Sequence, residues 1–306
     1  MLDLPRIEQR IDRLREDLRA RYGWTHLDVR VAVEREAIAR IKIAGTIAVP
    51  SVRTLLREAL HDLIAPGLAL ELELRAIPVH RWVALPSAGL ELWAQHPSQA
   101  TQALATELSH ADGPVGELAR DRGASLLRAR DGTVGWTDTV LEIDQPPRLL
   151  CEPVVPEDPG PAIREAALAY LGAPYWLGAN GSTRIDCSAL VQRSYSAALQ
   201  LLVPRNSNDQ LAIARGGESI ERASGQAGDL IFIRSHRMQR THVGIATGRA
   251  TIIHASRSRG AVIEEYGREF EADAEWIRRV TWPQVVEWAR AQVGRPHVDL
   301  MIADDR

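Results

Sequence analysis

Along residues 4–18, Leu4, Ile7, Ile11, Leu14 and Leu18 recur at steps of three and four, with Arg and Glu between them. That spacing predicts an amphipathic helix with one apolar stripe, ended by Gly23. The period then changes to two. Leu27, Val29, Val31 and Val33 alternate with polar residues, and Ala37, Ala39, Ile41 and Ile43 do so again. This is the pattern of strands with one buried face. Ser51 is placed to cap a second helix whose stripe is Leu55, Leu56, Leu60 and Leu63, and Leu68, Leu70, Leu72 and Leu74 alternate as a third strand. The order helix–strand–strand–helix–strand predicts a small α+β accessory unit over residues 1–77.

Over 78–146 the apolar runs are short and separated by turns. Asp131-Gly132, between two alternating stretches, predicts a hairpin. Trp93 and Trp136 read as core residues, with a binding face as the alternative, and the stretch around 98–121 reads as an insertion between strands. Six prolines crowd residues 143–161, so 147–160 reads as an extended linker with Cys151 a passive passenger. The last unit, 161–306, opens with a helix from Pro161 to Gly172. A second helix begins at Cys187 and buries Leu190, Val191, Tyr195 and Ala198. "GDLIFIRS", "THVGIATG", "ATIIHASR" and "AVIEEYG" follow as strands. Helices followed by an antiparallel run of strands make an α+β order.

The chain has 306 residues, enough for two or three domains. Its net charge of −3 argues against a nucleic-acid partner. No run of apolar residues is long enough to span a membrane. The start, "MLDLPRIEQRIDRLRED", has neither a basic n-region nor an apolar h-region, so no signal peptide is read and a cytoplasmic location is expected. Two cysteines do not make a disulfide framework and fit a reducing compartment.

Cys187 carries the candidate chemistry. A buried thiol is commonly core packing, but one at a helix N-terminus is also placed to act as a thiolate nucleophile. Downstream, His242 and His254 stand twelve positions apart on adjacent predicted strands joined by "TGRA". A short hairpin would set them side by side. Thiol catalysis needs a base and a group that orients the base, and Cys187 with the two histidines supplies all three. Two His and one Cys are also a zinc-capable set, although the close ligand pairs of such sites are absent.

The string "PYWLGANGSTRIDCSALVQRSY … VPRNSNDQ … AGDLIFI … THVGIATGRATIIHAS" resembles the NlpC/P60 cysteine peptidases over roughly 161–270. The resemblance implies a papain-like catalytic domain with Cys187 as nucleophile, His242 as base and His254 as its orienting group. It requires no metal and no cofactor. It also implies that Tyr175 lies near the oxyanion position. Ala189 and Ala179 stand where the family pattern has glycine. "LLRARDGTVGWTDTVLEI" resembles the closing strands of a bacterial SH3 (SH3b) barrel, and residues 1–77 weakly resemble a BON module.

The fold class expected is therefore α+β: an NlpC/P60 domain preceded by an SH3b-like β-barrel and a small N-terminal α+β domain. This order resembles γ-D-glutamyl-L-diamino-acid endopeptidases acting on murein peptides. In that group a free L-Ala amine is read beside the nucleophile, which implies substrate-binding roles for Asp186, Ser188 and Ser207. Glu91 is a further candidate from the SH3b-like unit. An amidase or acyltransferase of the same fold, and a non-catalytic peptidoglycan-binding protein, are the alternatives.

Overall fold

The computed structural model describes residues 4–22, 27–35, 39–47, 52–64, 68–181, 183–214, 217–219, 225–235, 241–272, 274–296 and 298. Gly23, Ala37, Ser51 and the side chain of Leu18 lie outside them. Three sheets follow one another along the chain.

The first unit comprises α1 (Leu4–Tyr22), β1 (Leu27–Arg35), β2 (Ala39–Ile47), α2 (Val52–Leu60) and β3 (Ala69–Ala76). β1 and β2 form an antiparallel hairpin, and β3 returns parallel to β2 after the α2 crossover. Ile7, Ile11 and Leu14 of α1 and Leu56 and Leu60 of α2 are buried. These are the stripes the 3.6-residue period requires.

The middle unit contains β4 (Arg81–Val83), β5 (Leu90–Trp93), β6 (Leu104–Leu108), β7 (Val115–Asp121), β8 (Ala124–Arg128), β9 (Val134–Thr137) and β10 (Ile143–Asp144). The β8–β9 hairpin is the one signalled by Asp131-Gly132. Asp131 Oδ1 accepts from Thr133 N at 3.0 Å and Gly132 takes φ +84°. The expected barrel is not closed. The strand order is β10-β4-β7-β8-β9-β5-β6, and its two ends do not pair. β10 has only two residues, and β9 meets β5 through the single pair Trp93–Trp136. The outer side of β6 is occupied by the third unit instead, as described below.

Residues 98–121 hold β6 and β7 rather than a bare insertion. The alternation of β7 is hidden by Glu117, a buried carboxylate held by Arg81 at 2.8 and 2.9 Å and by Ser125 Oγ at 2.8 Å. Both faces of β8 are buried. Leu126 enters a core shared with α1, α2 and the first sheet, while Leu127 enters the middle unit's own core.

Residues 145–156 form no helix or strand. The third unit has α3 (Pro159–Leu168), α4 (Cys187–Leu199), α5 (Ser207–Ala212), β11 (Glu218–Ser219), β12 (Leu230–Ser235), β13 (His242–Ala246), β14 (Thr251–Ser256), β15 (Ala261–Tyr266), α6 (Gly267–Phe270), β16 (Ala274–Val280) and α7 (Trp282–Arg290). α3 starts two residues before the expected Pro161, with Asp158 at the N-cap position. The antiparallel sheet runs β11-β16-β12-β13-β14-β15. Leu190, Val191 and Tyr195 of α4 pack on Val243, Ile245, Ile253 and Ala255. By alternation, His242 and His254 point to the other face, where Ile252 and Phe270 lie in a separate cluster.

The middle and third units meet through polar groups. Arg184 donates from Nη2 to Glu91 Oε1 and from Nε to Glu107 Oε1, both at 2.7 Å, and Asn180 N donates to Glu107 Oε2 at 3.1 Å. Arg193 pairs with Asp112, and Gln192 Nε2 donates to Asp131 at 3.0 Å. At Gly178, φ is +88°, and a Cβ would stand 2.3 Å from the carbonyl oxygen of Leu104 on β6. Only glycine permits both that backbone and that approach.

Among the described residues no helix is long and apolar enough to cross a membrane.

Candidate active site

Cys187 is the first residue of α4, with Asp186 as N-cap. Asp186 Oδ1 accepts from Ala189 N at 2.9 Å, which satisfies one of the helix's unpaired donors. The thiol is half-buried and lies against the N–H groups of Val243 and Ser188. It therefore reaches the start of β13, one residue from His242. Burial pushes the thiol up to about 12, and the charge of Asp186 adds to this. Those two N–H groups and Arg205 act in the opposite sense without reversing it. The helix terminus alone does not make a resting thiolate here.

His242 opens β13, and burial with the neighbouring His254 lowers its imidazole to about 3. With both groups neutral at rest, a reaction between this thiol and this imidazole requires proton transfer. His242 Nε2 stands 2.8 Å from His254 Nδ1, and His254 Nε2 stands 2.9 Å from Glu265 Oε1 on β15. Phe270 packs against both imidazoles, at ring-centroid distances of 5.5 and 4.9 Å. Gly244 lies opposite His254, and a Cβ there would meet Ile252 Cγ2 at 2.4 Å. The two imidazoles face each other nitrogen to nitrogen. Ligands of one metal ion would instead aim both lone pairs at a common point.

Asp186, singled out from the sequence, is 4% exposed, and Arg205, which was not, is 3% exposed. They form a two-pronged ion pair, Nη1 to Oδ1 at 2.9 Å and Nη2 to Oδ2 at 2.7 Å. Asp186 also accepts from Gly178 N and Ser188 Oγ. With Ala189 N, five donors converge on its two oxygens, which fills their roughly four lone-pair sites. The amine-reading role expected of Asp186 finds no free oxygen. Ser188 is likewise buried, between Asp186 and Arg205 Nη1.

Ser207 begins α5 and donates from Oγ to Thr241 O at 2.8 Å, tying it to the residue before His242. Half-buried Tyr175 donates its N–H to Gly260 O at 2.7 Å and bridges to Ile185. Beside it, Trp176 is 55% exposed under the guanidinium of Arg184. Glu91 reaches this region through Arg184. Cys151 is exposed, on the 145–156 segment.

The NlpC/P60 family model matches residues 172–279, a span holding Tyr175, Asp186, Cys187, Ser188, Ser207, His242 and His254. A probable endopeptidase of Haemophilus influenzae is 32% identical over 113 residues, covering 36% of this chain and 68% of that protein. The chain belongs to the NlpC/P60 family. Other relatives carry more explicit names. The murein DD-endopeptidase MepS/murein LD-carboxypeptidase of Escherichia coli K12 is 34% identical over 101 residues, 33% of this chain and 52% of that one. The gamma-DL-glutamyl hydrolase of Bacillus subtilis is 30% identical over 161 residues, 52% of this chain and 37% of that one. The chain thus spans about half the length of the first of these curated relatives.

Sequence reasoning missed Arg205, Phe270 and Glu265. Arg205 stands inside the quoted "VPRNSNDQ" run, and a lone cation beside apolar residues is the signal available there. Glu265 is one of two adjacent acids on the strand after His254, so alternation puts one of them on the histidine face.

Proposed function

We propose that this protein is a cysteine peptidase acting on peptidoglycan peptides, with Cys187 as nucleophile, His242 as general base and His254 as the group that orients it. The observation that supports this most is the placement of the thiol against the N–H of Val243, the residue after His242, whose Nε2 stands 2.8 Å from a second imidazole. As Sγ bonds to the scissile carbonyl carbon, its proton passes to His242. The C–N bond then breaks, and the imidazolium returns that proton to the leaving amine. Water next attacks the thioester with His242 again as base, which releases the acid and restores the thiol.

The bond we assign is the one between D-Glu and the diamino acid of stem peptides with a free N-terminal L-Ala. Relatives named murein endopeptidase and gamma-DL-glutamyl hydrolase favour this substrate class. Asp186 is committed to Arg205, so we assign the reading of the amine to the middle unit instead. There Glu91 is 45% exposed, with Oε1 held by Arg184.

Mass spectrometry of L-Ala-γ-D-Glu-diaminopimelate after incubation tests the assignment. Release of L-Ala-D-Glu is expected from the wild type and not from Cys187→Ala, while Cys151→Ser keeps most activity. Equal cleavage of the N-acetylated peptide would remove the amine requirement. Turnover by Cys187→Ala would remove the nucleophile.

A further inference from the structure

The hydrogen-bond chain behind His242 has a direction, and Glu265 sets it. An ionised carboxylate can only accept, and the hydrogen bond from His254 holds Glu265 below the usual carboxylate range. His254 Nε2 therefore carries a proton. In its neutral form His254 then has a bare Nδ1, which is the atom 2.8 Å from His242 Nε2. Nε2 of His242 must donate across that gap. The only nitrogen of His242 left without a proton is Nδ1. Reversing the chain would place a proton on Nδ1 of His242 and leave the ring unable to take one from a thiol.

We propose that Glu265 is a positioning residue: its carboxylate holds His254 and, through it, His242 in the Nε2–H tautomers, so that Nδ1 of His242 stays bare as the proton acceptor. The inference rests on the reading of Cys187 and His242 as nucleophile and base. β15 is built for this role. Its register pairs His254 with Ile263 and Ile252 with Glu265, so Glu265 is the diagonal neighbour of His254 on the same face. The Glu265 side chain is 15% exposed. The charged groups acting on it are His254 on β14 and Arg259 in the turn between β14 and β15. α6 adds the uncharged ring of Phe270 against the imidazoles. A charge-assisted hydrogen bond biases one tautomer over the other by about 10- to 100-fold.

Long-range 1H–15N correlation of the histidine side chains tests this in the wild type without any substrate. Both His242 and His254 are expected as Nε2–H tautomers. In Glu265→Leu, the Nδ1–H form of His254 should appear. On L-Ala-γ-D-Glu-diaminopimelate, kcat should fall on the order of 10- to 100-fold with KM within about twofold. The acid limb of kcat/KM should move to lower pH, because the negative charge that favours a protonated imidazole pair is gone. The proposal is overturned by an Nδ1–H tautomer of His254 in the wild type. It is equally overturned by unchanged tautomers in Glu265→Leu, by an unmoved acid limb, or by a kcat within about twofold of wild type. Activity in Cys187→Ala would instead overturn the underlying assignment of the nucleophile, which the tautomer measurement does not touch.

Discussion

Toward the N-terminal unit, the middle sheet offers Leu118, Leu126, Val134 and Trp136 to a core that also holds Ile7, Ile11, Ile41 and Leu56. Toward the catalytic unit it offers Thr106, Glu107, Asp112 and Asp131, which meet Arg205, Arg184, Arg193 and Gln192. The first junction is apolar and non-directional, and its strength follows from area removed from water. The second is a set of directional bonds whose geometry is specific and whose net contribution per bond is small. The difference separates two tasks. One junction joins α1, α2 and the first sheet to the middle sheet as a common core. The other fixes the path of residues 178–186 into Cys187, because Gly178, Asn180, Arg184 and Asp186 all have partners along it.

The comparison predicts different losses when each junction is cut. Leu126→Ala should lower unfolding stability by about 3 kcal/mol, read by urea denaturation, while kcat/KM of the folded protein stays within about twofold. A large activity loss there would mean that the apolar junction also shapes the site. Glu107→Ala should show the reverse. Removing the acceptor of Arg184 Nε and Asn180 N should cost about 1–2 kcal/mol yet reduce kcat/KM by roughly tenfold, since the approach to Cys187 loosens. If kcat/KM is unchanged, the polar junction is only adhesive. Glu91→Ala is the smallest case. Its pair with Arg184 is exposed on both sides, so stability should change by less than about 0.5 kcal/mol in the same urea assay.

Where apolar period and secondary structure coincide, the elements were legible. Ile7, Ile11 and Leu14 marked α1. The alternation around His242 and His254, twelve positions apart, marked β13 and β14 and brought the imidazoles together. Contacts that break a residue's usual habit were not legible. Arg205 reads as a surface cation, and its burial depends on Asp186 at a separation of nineteen positions. Glu117 interrupts the alternation of β7 because its carboxylate turns inward to Arg81 and Ser125. Glu264 and Glu265 are indistinguishable until the turn after β14 fixes which of them shares a face with His254. The barrel reading failed for a related reason: strand signals along a chain say nothing of whether the last edge meets the first, and here β6 turns its edge to another unit.

Gly178 turns that junction into a matter of lineage. A backbone that comes within side-chain reach of Leu104 can do so only against a strand of this contour and with no side chain of its own. A catalytic unit cut from this chain and grafted onto a foreign partner would lose the surface that its glycine was fitted to. Restoring any larger residue at 178 would drive a wedge between the two halves. The two units therefore cannot be shuffled as independent cassettes: exchange of either one has to carry the matching edge with it.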